Sequence, residues 1–382
     1  MKKLPRIDQL LPTYTHRDAI GTEVQHIEKL LTNRGIENAV FTQNWHPSLE
    51  GKCCHVQDYS RFSKIKNAIS IYHHSIGCPV PFYTYQAEAF NVTHYHNITP
   101  PRFFAKDTDY QLYFETTKLG FVVHPVMRLF THFTWADSYF NAQEFVDYGF
   151  KEPLVLPLLR DYRKLVDLPE KKELALRLKD GRKNILFTGR FAPNKAQHDL
   201  LFLLKLLHEY VDPKIRLVLV GSRDMIKYPS QFLDLAKSLN LSVDMSPESD
   251  RYHNCDVLAP GSVDDSSMTT YYRNADLFLC LSDHEGFCVP LVESMFFGLP
   301  IIAHTSTAVP ETLGDGGLLI DKYDWPGTVA TIKAVLSDVH LSSSLREKAK
   351  KRAEHFAWPA LEKQFDVCLD QTLKAFFEHQ NT

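Results

Sequence analysis

Between residues 184 and 320 the chain alternates short, unbroken apolar runs with stretches of helical period. Residues 184–188, 215–220, 257–258, 277–281, 300–303 and 317–320 read as strands, and residues 195–210 and the segment from Phe232 onward read as helices. A strand that does not alternate apolar and polar residues is buried on both faces. That requires a parallel sheet with helices on either side. The second half is therefore a doubly wound α/β domain, whose ligands bind beyond the C-terminal ends of its strands.

The first half repeats the plan less clearly. A helix opens at Asp18 and stops near Gly35, and residues 39–42, 68–72 and 91–96 read as strands. The boundary falls in the charged stretch 165–183, which carries its own helix at 170–179. The expected domains are residues 1–165 and 166–355, followed by a helical tail, 356–382, after the break at Trp358-Pro359. A length of 382 residues supports two separate cores. The net charge of −3 gives no general attraction to nucleic acid. No apolar run approaches a membrane span, and the first residues lack the apolar core of a secretory signal. Seven irregularly spaced cysteines suit reduced thiols. These features lead us to expect a cytoplasmic protein, with a place at the inner face of the membrane left open. The oligomeric state is not legible. The absence of a Gly-x-Gly-x-x-Gly run argues against a nicotinamide dehydrogenase.

Several constellations could carry chemistry. Glu285 and Glu293 stand eight residues apart, with Pro290 suited to the first helical position and Gly298 and Pro300 closing that helix. The free amides of Leu291 and Val292 would then offer a phosphate site at a helix N-terminus. Gly189 ends a strand, and Arg190 and Lys195 follow it. Arg is a planar fork and Lys a point charge, and both suit diphosphate oxygens. Histidines cluster in the first half at His16, His73, His74, His94 and His96. Their spacing fits no standard helical metal pair, and no carboxylate stands in regular relation to them. Asp107 and Asp109 form an Asp-x-Asp in a polar turn, a context wrong for metal binding. The basic run 346–352 reads as a solvated helix face.

The stretch from Ser282 to Ala303, with Glu285-Gly286-Phe287 and Gly298-Leu299-Pro300, closely resembles the GT4 family of retaining glycosyltransferases, which share the GT-B fold. The resemblance implies two Rossmann-like domains facing a cleft, with the last helix crossing back to the N-terminal domain. It implies that Gly189, Arg190 and Lys195 hold the donor diphosphate and that Glu293 binds the ribose. Glu285 and the amides of Gly286, Phe287 and Cys288 would face the transferred sugar, with Leu291 and Val292 at the phosphate. His96 would contact the donor sugar near the reacting carbon, and Gly21 would lie in the first loop, where the family has two adjacent glycines. Catalysis would then rest on Glu285, His96, Arg190 and Lys195.

The implied activity is hexose transfer from a GDP- or UDP-linked sugar to a glycan or lipid-linked glycan in bacterial surface polysaccharide synthesis. Retention would follow from attack on the face that the leaving group vacates. No cofactor and no metal are expected, and peripheral membrane association is left open. A sugar-nucleotide epimerase and a non-catalytic nucleotide- or glycan-binding subunit remain as alternatives.

Overall fold

A computed structural model describes residues 4–15, 18–59, 67–86, 89–104, 110–225, 227–246 and 255–381. Asp107, Asp109 and His16 lie outside the described residues. The chain divides into two compact units. One comprises Met1–Lys106, Gln111–Arg160 and Trp358–Thr382, and the other Asp107–Tyr110 and Asp161–Ala357.

The first unit is built on strands β1 (Arg6–Tyr14), β2 (Val40–Trp45), β3 (Cys54–His55), β4 (Ala68–His74), β5 (Phe90–Tyr95), β6 (Phe133–Ala136) and β7 (Leu154–Val155). They form a parallel sheet in the order β3-β2-β1-β4-β5-β6-β7. The direction of winding reverses between β1 and β4. The helix Ala19–Asn33 begins where the Asp18 side chain accepts the Gly21 N–H, and it buries Val24, Ile27, Leu30 and Leu31. Gly35, with φ of +70°, ends it in a conformation that suits glycine.

Four of these strands, β1, β3, β6 and β7, do not stand out in the sequence. β1 is central yet carries Asp8, Gln9 and Pro12, residues that argue against a buried strand. Pro12 is tolerated because it lies past the last β1–β4 pair, Leu10 with Tyr72. Arg6 pairs with Asp8 at 2.8 Å. Burial still pushes the Asp8 carboxyl up to about 6, against the pull of Arg6.

The final helix, Trp358–His379, belongs to this first unit. Trp135, fully buried on β6, donates its indole N–H to Thr372 at 3.1 Å. Arg34 reaches Asp366 at 2.7 Å and Glu362 at 3.3 Å.

The second unit holds β8 (Asn184–Thr188), β9 (Arg216–Val220), β10 (Val243–Asp244), β11 (Val257–Gly261), β12 (Leu277–Cys280), β13 (Ile301–His304) and β14 (Leu318–Ile320). Their order is β10-β11-β9-β8-β12-β13-β14, again parallel throughout. Each apolar run of the sequence coincides with one of these strands to within a few residues. The helix Gln197–Tyr210 covers the sheet with Leu200, Leu201, Leu203, Leu204 and Leu207. Each of these contributes roughly 1.5–3 kcal/mol on full burial. Here the winding reverses between β8 and β12, and in open sheets of this kind that reversal opens the ligand crevice. The loops after β8 and β12 are the ones that carry the predicted acids and cations. No helix among the described residues is long and apolar enough to cross a membrane.

Candidate functional site

After β8 the chain passes Gly189 and Arg190 and makes a short turn, Pro193–Lys195. Gly189 donates its N–H to the Val220 carbonyl at 2.8 Å. A Cβ on Gly221 would stand 2.0 Å from the Gly189 carbonyl oxygen, so this close approach of two strand ends requires glycine at 221. After β12 the loop from Leu281 to Cys288 leads into the helix Val289–Phe296. Asn194 ties the two loops together. Its carbonyl accepts the Asp283 N–H at 2.9 Å, and its side-chain amide donates to the His284 carbonyl at 3.2 Å. The result is a direct ion pair between predicted residues: Lys195 Nζ lies 2.7 Å from Glu285 Oε2. Glu285 is only 8% exposed. Arg190 lies on the same loop with its side chain exposed.

Glu293 projects from the first turns of the helix and is 7% exposed. Its Oε2 accepts the Tyr272 hydroxyl at 2.6 Å, and the Tyr272 oxygen lies 2.8 Å from Thr188 Oγ1 at the end of β8. With the Tyr272 proton committed to a carboxylate, Thr188 must be the donor in the second bond. A chain of hydroxyls thus fixes Glu293 against the β8 end of the sheet.

The helix start differs from expectation. The helix begins at Val289, so Pro290 is second rather than first. The Leu291 N–H is not free, because it donates to the Cys288 carbonyl at 3.0 Å. Leu291 and Val292 are both fully buried. The entry turn is made by Cys288, whose φ of +69° is unusual for a residue with a side chain. Its thiol hydrogen-bonds Cys280, which lowers the Cys280 pKa and helps raise that of Cys288. Gly286 and Phe287 occupy the loop between Glu285 and Cys288, and Thr312 donates to the Phe287 carbonyl at 2.6 Å.

The sequence reading missed two supports of this loop. Thr307 Oγ1 accepts the Glu285 N–H at 2.8 Å from a backbone with φ of +44°. Lys322, 1% exposed, reaches Asp199 and Asp283, each at 2.6 Å. Burial alone would lower the Lys322 pKa, but the two carboxylates outweigh it and hold the ammonium charged. A lone Lys after a strand gives no sequence signal. Five described residues other than glycine have positive φ, and Ala196, Cys288 and Thr307 are three of them. Backbone strain of this kind gathers where a site must hold its shape.

In the first unit, Gly21 lies inside a helix rather than in a loop. Its amide is held by Asp18 at 3.4 Å, and a Cβ would stand 2.1 Å from the Thr15 carbonyl oxygen. The structure therefore assigns Gly21 a packing role and commits its N–H. His96 follows β5 and is buried. Its Nδ1 lies 2.9 and 3.0 Å from the Asp137 carboxylate oxygens, and its Nε2 lies 2.8 Å from His73 Nδ1. Both ring nitrogens are thus engaged, so a sugar hydroxyl would reach one only by displacing a neighbour. Burial pulls the His96 pKa down, but the charge and hydrogen bond of Asp137 outweigh it and the value lies above the ordinary one.

Contrary to the sequence reading, carboxylates do join these histidines. Asp137 follows β6, and Glu23 stands on the buried face of its helix with Val24 and Ile27. Donor atoms of Glu23, His73, His94 and His96 come within 4.8 Å of one another, as do those of Cys280, Glu285 and Cys288. The 2.8 Å between His73 and His96 is a hydrogen-bond distance. Two nitrogens on one tetrahedral zinc, each at about 2.0 Å from it, stand about 3.3 Å apart. Within the cluster His73 and His96 hydrogen-bond each other, while Glu23 Oε2 and both His94 nitrogens make no hydrogen bond among the described residues.

These features define a class: two Rossmann-like doubly wound units, the second with an acid–cation pair at its topological switch point. Residues 170–352, just under half of the chain, match the family described as Glycosyl transferases group 1. O-antigen chain mannosyltransferase B of Escherichia coli is 30% identical over 116 residues, which is 30% of this chain and 29% of that protein. A phosphatidyl-myo-inositol mannosyltransferase of Mycolicibacterium smegmatis is 28% identical over 193 residues, 49% of this chain and 44% of that one. The matched region thus spans less than half the length of these curated relatives.

Among solved structures, the sucrose-phosphate synthase of Thermosynechococcus elongatus superposes with a TM-score of 0.73 at 15% identity, covering 97% of this chain and all of that one, 100%. HepE of Anabaena, in complex with UDP and glucose, gives 0.68 at 17% identity, covering 95% and 99%. These likenesses establish the fold that the sequence resemblance implied.

Proposed function

We propose that the chain is a retaining glycosyltransferase that moves a hexose from a nucleoside diphosphate sugar to a hydroxyl of a glycan or lipid-linked glycan. The observation that carries this reading is the Lys195–Glu285 ion pair at 2.7 Å, set at the β8/β12 switch point beside the helix that bears Glu293. Lys195 rests on Glu285. When donor binds, Lys195 and Arg190 turn to the diphosphate and stabilise the charge that grows on the leaving group. Glu285 is then released to the hydroxyls of the transferred sugar. Glu293, steadied by Tyr272, takes the ribose. The phosphate meets amides ahead of Leu291, at Cys288 and Val289, in place of those first expected. A donor phosphate oxygen takes the acceptor proton, so no protein base and no bound metal are required. The names of the mannosyltransferase relatives support a sugar-polymer or lipid-linked acceptor.

Lys195→Ala and Glu285→Ala are each expected to reduce transfer by at least about a hundredfold, the scale seen when one charge-stabilising group is removed from such a site. Circular dichroism and melting should show that the fold survives. Near-normal transfer by either folded variant would overturn the site. A thermal-shift series with UDP, GDP and ADP identifies the base, since a ligand that binds only the folded state raises the melting temperature. Conversion of the free nucleotide sugar without an acceptor, followed by NMR, would indicate an epimerase instead.

A further inference from the structure

A line of side chains crosses the first sheet from β1 to the end of β6, and its hydrogen-bond polarity can be read without placing a single proton by assumption. Gln9 on β1 donates its side-chain N–H to the Val24 carbonyl at 3.0 Å, and a carbonyl can only accept. The other end of that amide, Oε1, therefore faces His73 Nε2, 3.1 Å away, and His73 Nε2 must carry a proton. At the far end, His96 Nδ1 faces the Asp137 carboxylate at 2.9 Å and must carry one too. His94 Nε2 lies 3.0 Å from the same carboxylate without the alignment of a hydrogen bond, so the His96 N–H is the ring donor that holds Asp137. Between these ends, His73 Nδ1 and His96 Nε2 lie 2.8 Å apart on nearly parallel rings, and only a proton between them makes that contact favourable. Two neutral imidazoles carry two ring protons, whereas this arrangement needs three.

We propose that His73 and His96 form one bridged cation at neutral pH, with Gln9 and His73 acting as positioning residues that keep His96 protonated. The surroundings agree. Asp137 supplies the balancing charge, and a buried charge is tolerated when it is paired and hydrogen-bonded. Glu23 lies 3.6 Å from His96 Nδ1 and 3.9 Å from His94 Nδ1, and its burial pushes its carboxyl up to about 8, so it adds little charge at neutral pH. Asp18 adds a weaker pull on His96, and His94 and His74 are the remaining titratable neighbours. Burial and the adjacent rings lower the pKa values of His73, His74 and His94, which places the positive charge on the His96 side of the bridge.

For its catalytic consequence this proposal rests on the glycosyltransferase reading. A sugar hydroxyl that displaced His73 from His96 Nε2 would then meet a donor and not a base, and transfer would fall as pH rises through the titration of the pair.

The test reads the rings directly. Histidine-labelled protein, with no ligand added, is followed by two-bond 1H–15N NMR, and the two rings are assigned from His73→Gln and His96→Gln. The expected result at pH 7 is three protons over the four ring nitrogens, lost in one step above the free-imidazole value. Two neutral tautomers at pH 7, or a step at or below that value, would overturn the proposal. Gln9→Leu removes the acceptor that orients His73 and should lower the midpoint by about one pH unit, the equivalent of one charge-assisted hydrogen bond. An unchanged midpoint would count against the relay. His73→Gln keeps an acceptor for His96 Nε2 and should keep His96 cationic, which provides the check if Gln9→Leu does not fold. A bridged cation in a protein without transferase activity would sink the functional reading alone. Active protein with neutral rings would sink this proposal alone.

Discussion

At the residue scale the donor-side acids were legible and their supports were not. Glu285 and Glu293 announce themselves through spacing and through the Gly and Pro residues around them. Tyr272, Thr307 and Lys322 lie on separate elements and reach Glu293, the Glu285 N–H and Asp283 only once the sheet is wound. Glu23 did leave a trace, as an acid on the apolar stripe that runs through Ile27 and Leu30. Cys288 invites a direct test. Its φ of +69° suits glycine and opposes a β-branched side chain. Cys288→Gly should therefore melt within a few degrees of the parent, whereas Cys288→Val should lose about 1–3 kcal/mol. Equal stability of the two variants in denaturant titrations would show that the turn is not held as described.

At the scale of elements, the second sheet was the more legible because its long strands are uniformly apolar, whereas in the first sheet only β2, β4 and β5 could be read. Gln9, Ser70, His73, Asn91 and His94 occupy buried positions where a parallel sheet normally has Val or Ile. Gln9, with Asp8 and Pro12, hid β1, while β4 and β5 could be read despite their polar residues; Gln9 and His73 are also members of the histidine line. The final helix was legible as a helix, while its partner β6, four residues long, was not. Removing residues 358–382 should leave the second unit folded and unfold the first. Limited proteolysis with mass spectrometry would then show a protected fragment near residues 161–357 and rapid loss of the rest. Protection of both units after truncation would refute the assignment of this helix.

At the scale of the molecule, stability should depend on pH through the buried acids of the first unit. Glu23 is raised by burial to about 8. A raised folded value means that the contribution of this group is whole below the ordinary carboxylate range and is lost as pH rises through about 8. His96, also raised, acts with the same sign. Glu23→Gln keeps an acceptor for the Leu159 N–H, which Glu23 Oε1 receives at 3.2 Å, and removes the titration. Its melting temperature relative to the parent should therefore climb from pH 5 to about pH 8 and level off above that. A constant difference across that range would show that Glu23 does not titrate in the folded protein.

The return of the last helix to the first unit also bears on how the protein is made. The first unit leaves the ribosome first and is completed last, because Trp135 and Arg34 wait for partners that are synthesised more than two hundred residues later. The second unit, contiguous in sequence from 161 to 357, can fold while the first is still open. During translation the nascent chain thus carries the first sheet without its closing helix until residues 358–382 have been made.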